Sequence, residues 1–98
     1  VSSYEKTVRE HLRVTLLRLL TEQPDYRLNE SLLADLSEHY GFNPSRDRIR
    51  TELSWLEEQG LLTVEADGIW VAALTQRGCD AAGGRITVPG VKRPTPRI

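Results

Sequence analysis

The sequence predicts a mainly α fold with a small β-hairpin: a three-helix core, a two-stranded hairpin and a short C-terminal helix. Three observations carry this. Apolar residues recur at spacings of three and four in three successive segments, which is the period of a helix with one buried face. Two β-prone runs flank Asp67-Gly68, a pair that tolerates the positive φ of a tight hairpin turn. Glycine or proline punctuates each junction, at Pro24, Gly41, Pro44, Gly60 and Gly83-Gly84.

The first helix is read over residues 4–22, where Tyr4, Val8, Leu12, Leu16 and Leu19 form a stripe with Lys, Arg and Glu between them. It stops before Pro24, whose ring disfavours a helical residue ahead of it. Val14, Leu17 and Leu20 make the stripe wider than one core face needs. They either meet a second chain or close over the chain's own last helix.

Asn29 is placed to cap a second helix, with Leu32, Leu33, Leu36 and Tyr40 on one face and Gly41 as its left-handed exit. A tight turn, Gly41-Phe42-Asn43-Pro44-Ser45, leads into a third helix capped by Asn43 or Ser45, with Pro44 suited to a first turn that needs no amide donor. Its inward residues are Ile49, Leu53 and Leu56, and Gly60 ends it.

A two-residue turn at Asp67-Gly68 pairs Ala66 with Ile69, Val64 with Val71 and Leu62 with Ala73. These six then cover the helices, and Thr63, Glu65, Trp70 and Ala72 face away. Thr75 caps a short helix through Ala82. The last stretch, "RITVPGVKRPTPRI", holds three prolines and four bases with scarcely any apolar periodicity, and reads as an extended tail. The expected organisation is therefore a domain over 1–84 and a basic, flexible tail over 85–98.

Ninety-eight residues at 39% hydrophobic and 28% charged suit one globular domain with one modest core. No apolar run approaches the ~20 residues of a membrane span, and no secretory signal pattern opens the chain, so a cytoplasmic protein is expected. Cys79 is the single cysteine, and His11 and His39 are the only histidines. An intrachain disulfide is excluded, and a multi-ligand zinc site is not expected. No cofactor and no enzymatic chemistry are expected either: Asp80 and Glu52 look too isolated to work as an acid/base pair. The net charge of −1 hides a polarity. Residues 1–84 hold nine bases against fourteen acids, a balance of −5, whereas Arg85, Lys92, Arg93 and Arg97 give the tail +4.

The segment "NESLLADLSEHYGFNPSRDRIRTELSWLEEQGLLTVEADGIWVAALTQRG" resembles the winged helix-turn-helix superfamily, in which the recognition helix ends in an L-x-x-L-x-x-x-G-L run and an L-T-x-x-G stretch follows the hairpin. The likeness covers roughly residues 8–84. More narrowly, "SRDRIRTELSWLEEQGLLTVE", "LTQRGCDAAGGR" and "VPGVKRPTPRI" resemble a family of small proteins of Mu-like phages and prophages, loosely described as similar to the metal-responsive ArsR repressors. Those repressors carry paired cysteines in the recognition helix. Nothing of the kind lies between Ser45 and Gly60, so metal regulation is not implied here.

In a helix-turn-helix the front half of the recognition helix enters the major groove. Here that half carries Ser45, Arg46, Asp47, Arg48, Arg50, Thr51 and Ser54. Arginine's fork of donors suits guanine or phosphate, Asp47 can accept from cytosine N4, and Thr51 and Ser54 reach either kind of acceptor. The alternative for Arg46, Arg48 and Arg50 is pairing with nearby acids on a solvated face, with Glu52 or Asp47 as partners. Glu57, Glu58, Glu65 and Asp67 make the hairpin side acidic, and Trp70 is expected to lack a cation beside it. Arg85, Lys92, Arg93 and Arg97 could follow a phosphate rail, or the tail could lie on the acidic body. Trp55 is expected in the core between the first helix and the hairpin, Cys79 as a small buried group, and both histidines at the surface.

The reading that results is a DNA-binding regulator of a phage or prophage, acting on double-stranded DNA as a homodimer through the first helix. Its rival is a non-catalytic adaptor that engages another phage protein in DNA packaging or assembly.

Overall fold

The computed structural model describes residues 3–95. Its elements are α1 (Ser3–Thr21), β1 (Arg27–Asn29), α2 (Glu30–Ser37), a 3₁₀ turn (Glu38–Tyr40), α3 (Arg46–Glu58), β2 (Leu62–Glu65), β3 (Val71–Leu74) and α4 (Gln76–Ala82). Every helix start anticipated from its side chain is built that way. Asn29 Oδ1 accepts from the Leu32 amide at 2.8 Å, Ser45 Oγ from Arg48 at 3.0 Å, and Thr75 Oγ1 from Gly78 at 3.1 Å. Each bond occupies one amide that the first helical turn leaves without a partner. Ser45, not Asn43, is the cap of α3, so Pro44 lies just ahead of the helix.

Leu16, Leu17 and Leu20 of α1, Leu33 of α2, Ile49, Leu53 and Leu56 of α3, and Leu61 and Leu62 form one fully buried core. The surplus width of α1 is used within the chain: Val14, Leu17 and Leu20 are buried, and α1 packs along α4. Leu32 and Tyr40, expected on the inner face of the second helix, are exposed instead. The helix is only eight residues long, and its buried positions are Glu30, Leu33 and Ser37.

Two expectations fail in the sheet. It has three strands, in the order β1-β3-β2, because β1 pairs antiparallel with β3 through Arg27↔Ala73, Leu28↔Ala72 and Asn29↔Val71. The hairpin is also shifted by one residue, with Leu62↔Leu74, Thr63↔Ala73, Val64↔Ala72 and Glu65↔Val71. Ala66–Trp70 form a five-residue loop in place of a two-residue turn. The cause lies outside the hairpin. Trp70 N–H donates to Glu30 Oε2 at 2.7 Å and Trp70 C=O accepts from the Glu30 amide at 2.8 Å, so the start of α2 takes both of its main-chain groups. A slip of one residue reverses the faces of a strand. Ala72 is accordingly buried, opposite to expectation, and Val71 and Ala73 lie on the other side.

The segment after α4 is not a loose tail. Val88 and Val91 are buried in the core, and Ile86 packs against it. Arg13 NH1 donates to Gly90 O at 2.9 Å, and the Lys92 amide donates to Glu10 O at 3.2 Å. Gly90 has φ of +94°, and a Cβ there would come within 2.7 Å of the Trp55 ring. The domain therefore runs past residue 84 to at least Val91. The reason is that Ile86, Val88 and Val91, too irregular to show a period, still supply apolar surface to cover α1 and α3.

Candidate nucleic-acid interface

The front of α3 stands at the surface, with Ser45, Arg46, Asp47, Arg48 and Thr51 exposed and Ser54 half-buried. Its three arginines have three different environments. The Arg46 side chain makes no hydrogen bond or ion pair among the described residues. Arg48 reaches one turn along the helix to Glu52 Oε2 at 3.2 Å, with about half its side chain still in water. Arg50 is held by both oxygens of Glu30, Nε to Oε1 at 2.7 Å and NH2 to Oε2 at 2.8 Å. Its guanidinium lies 4.8 Å from the centre of the Trp70 ring and touches Gly68 O at 3.4 Å.

Glu30 is the centre of this brace. Its carboxylate is wholly buried, yet it receives two guanidinium bonds and the Trp70 amide. The Arg50 hydrogen bonds hold its pKa down at about 2, against the opposing pull of burial, with the Trp70 amide and the charges of Arg50 and Arg46 helping. Arg50 is correspondingly pushed up by its hydrogen bonds to Glu30. Trp70 thus has a cation beside it after all, and Arg50 is a tie between α2, α3 and the hairpin loop. Arg50, expected among the outward arginines of the helix, is paired with an acid of α2. Arg50 sits beside Glu30 because the first residue of α2 packs against α3, a contact across 20 residues that no local pattern signals.

Glu52 is not isolated either. It is buried beneath Arg13, whose Nε donates to Oε1 at 2.7 Å, and beside Arg48. The Arg13 guanidinium also stacks 3.8 Å from the Trp55 ring centre. Trp55 is half-buried against the core, with Arg13 of α1 and Gly90 against its ring. Both buried carboxylates were legible only as helix acids. One signal existed: an acid at an a/d-like spacing with Ile49 and Leu56, as Glu52 is, belongs to the inner face.

The acidic hairpin side is partly neutralised. Glu57 Oε2 accepts from the Val64 amide at 2.9 Å, and Glu65 pairs with Arg27 at 3.1 Å. Of the C-terminal bases, Arg85 pairs with Asp80 at 3.4 Å, Lys92 Nζ donates to the Arg93 carbonyl at 3.3 Å, and Arg93 reaches Thr87 Oγ1 at 3.5 Å. Arg97 lies outside the described residues. Asp80, like Glu52, therefore has a partner. Cys79 is only partly buried, His39 is exposed and His11 half-exposed. Among the described residues no group of three or more His, Cys, Asp or Glu could hold a metal, and no helix is long and apolar enough to cross a membrane.

No family model matches the sequence. The chain is 48% identical over 89 residues to uncharacterized protein gp26 of Escherichia phage Mu, covering 90% of this chain and 92% of that one. An uncharacterized protein of Haemophilus influenzae is 48% identical over 77 residues, covering 76% of this chain and 74% of its own length. RosR of H. salinarum, in a structure grown from NaBr, superposes with a TM-score of 0.62 at 27% identity, over 74% of this chain and 66% of that chain. A complex structure of hsRosR-S1 gives 0.61 at 27% identity, over 72% and 63%. The chain thus spans just under two thirds of the RosR chains. The link to metal-responsive repressors gains nothing from these likenesses. The fold is a winged helix, with β2 and β3 as the wing, and the chain belongs to the family of the phage Mu protein gp26.

Proposed function

We propose that the chain binds double-stranded DNA, as a phage- or prophage-encoded regulator of transcription, by placing the first turns of α3 in the major groove. The observation that carries this is Arg46: on the outward first turn of a winged-helix recognition helix, it alone of the three arginines has a guanidinium free of any carboxylate. Arg46 and the water-facing donors of Arg48 are the cationic contacts, Asp47, Thr51 and Ser54 the short polar ones, and Ser45 their cap. Arg50 braces the helix from behind. So few readers on one helix cover few bases, and a homodimer on two half-sites supplies the rest. The apolar width of α1 no longer argues for that dimer, and the part of α1 left to serve it is the exposed end that carries Tyr4. The work is non-catalytic and takes place in the cytoplasm of the bacterial host.

Fluorescence anisotropy on phage genomic fragments at several salt concentrations tests the reading. Arg46→Ala should weaken binding and reduce the salt slope by about 0.9 per protomer, with the melting temperature unchanged. Binding that ignores salt, or that is the same in Arg46→Ala, overturns it. A second reading, an adaptor for another phage protein, is favoured by the exposed Tyr26, Leu32 and Ile69. Co-purification of a phage protein without DNA from induced cells selects it.

A further inference from the structure

Two adjoining depressions, of about 500 and 220 Å³, run along the side of α1 and share Arg18, Arg93, Pro94 and Thr95. Lys92 and His11 line the second, together with Tyr40 and Phe42 at its far end. Among the described residues no carboxylate lines either one, although residues 1–84 carry a balance of −5. The Arg18 side chain makes no ion pair or hydrogen bond among the described residues, and Arg93 has only the long contact to Thr87. The trough's cations come from two segments, the middle of α1 and the folded C-terminal strap. Burial of Val88 and Val91 and the Lys92 amide bond to Glu10 hold the strap in place. Phe42 also lines a separate groove, with Glu5, Arg9 and Arg48, at the front of α3.

We propose that this trough is a second nucleic-acid contact, separate from α3, that takes a phosphodiester backbone. Several cations in a lining without acids suit repeated phosphates better than one small ion. Tyr40, about half exposed, and Phe42 add the ring surface on which a base can stack. The proposal goes beyond the α3 reading, and each can fail while the other stands.

The test compares the full chain with Arg18→Ala/Arg93→Ala, using a duplex and a single strand of equal length. Loss of two phosphate contacts lowers the slope of log K against log salt by about 1.8 on the duplex, or about 1.4 on the single strand. Affinity falls roughly tenfold or more at low salt. Whichever substrate shows the change is the one that occupies the trough. Arg18→Lys/Arg93→Lys, which keeps both charges, should retain the slope, and Arg18→Glu alone should reproduce the loss should the double alanine variant unfold. Arg46→Ala must leave the trough's share of the slope intact, which separates the two sites. Unchanged slope and affinity on both substrates in a folded variant overturn the proposal. So does competition by polyglutamate as strong as that of DNA at equal charge.

Discussion

Glu30→Gln probes the brace on which the recognition helix rests. The native carboxylate takes three donors: Arg50 Nε at 2.7 Å, Arg50 NH2 at 2.8 Å and the Trp70 amide at 2.7 Å. Glutamine fits the same volume but offers one carbonyl oxygen, and its own NH₂ would point at a guanidinium or at an amide. With its carbonyl in the place of Oε2 it keeps Arg50 NH2 and the Trp70 amide and loses the bond to Arg50 Nε, a charged partner worth about 1.5–3 kcal/mol, and its NH₂ is left facing that guanidinium. Arg50 recovers part of this through water, since 34% of its side chain is already exposed. The net cost is about 3 kcal/mol, within the range for breaking a buried pair from one side. For a domain of this size that lowers the melting temperature by roughly 12 °C or more. Circular dichroism of thermal and urea unfolding measures it. The acid limb gives an independent check. Because the folded pKa is held at about 2 and the ordinary value is 4.5, the stabilisation is complete above pH 4.5 and is lost as pH falls towards 2. The Gln variant should lack this part of the slope. Equal stability at pH 7, or an acid limb of the same steepness, would refute the account of Glu30.

Two further outcomes follow from packing. Gly78→Ala should abolish folding, because its Cβ would overlap the Leu61 carbonyl oxygen and meet Leu74 Cδ1 at 2.6 Å, and expression as soluble protein with a cooperative melt would contradict this. Truncation after Gly84 should destabilise the chain by about 3–6 kcal/mol from the loss of Val88 and Val91 alone. A truncated chain that melts like the full one would restore the independent 1–84 domain.

Local signals carried most of the fold. Asn29, Ser45 and Thr75 announce their helices because a cap is a matter of three or four neighbouring residues. The inward set of α3 is equally local, since Ile49, Leu53 and Leu56 follow the helical period. The hairpin register failed for the opposite reason. Asp67-Gly68 favours a two-residue turn in isolation, but Trp70 spends both main-chain groups on Glu30, 40 residues away in sequence. β1 was invisible because three residues, Arg27, Leu28 and Asn29, have no pattern of their own and become a strand only beside β3. The strap was misread because prolines and bases outweighed Ile86, Val88 and Val91 in a window too short for a period. The candidate site was legible as a cluster of arginines, whereas the allocation of each one depended on acids brought in from α2 and on a neighbour inside α3.

That allocation constrains the proposed reading of DNA. For Arg50 to reach a base it must leave Glu30, and the carboxylate would then sit buried with only the Trp70 amide for company. The cost of such an uncompensated charge, about 3–5 kcal/mol, exceeds the ≈ 1–3 kcal/mol that one good bidentate base contact supplies. Arg48 is bound by no such penalty. Glu52 keeps Arg13 as a buried partner when Arg48 swings away, and Arg48's pair is long and half in water. Asp47 constrains the readers next to it: its carbonyl already accepts the Thr51 hydroxyl proton at 3.0 Å, so Thr51 meets DNA as an acceptor unless that bond breaks. Under the proposed function, sequence preference would therefore depend on Arg46, Arg48 and Asp47, a short reading frame at the first turn of α3. The rest of the binding energy in that proposal would come from phosphate contacts, which are salt-dependent and indifferent to sequence.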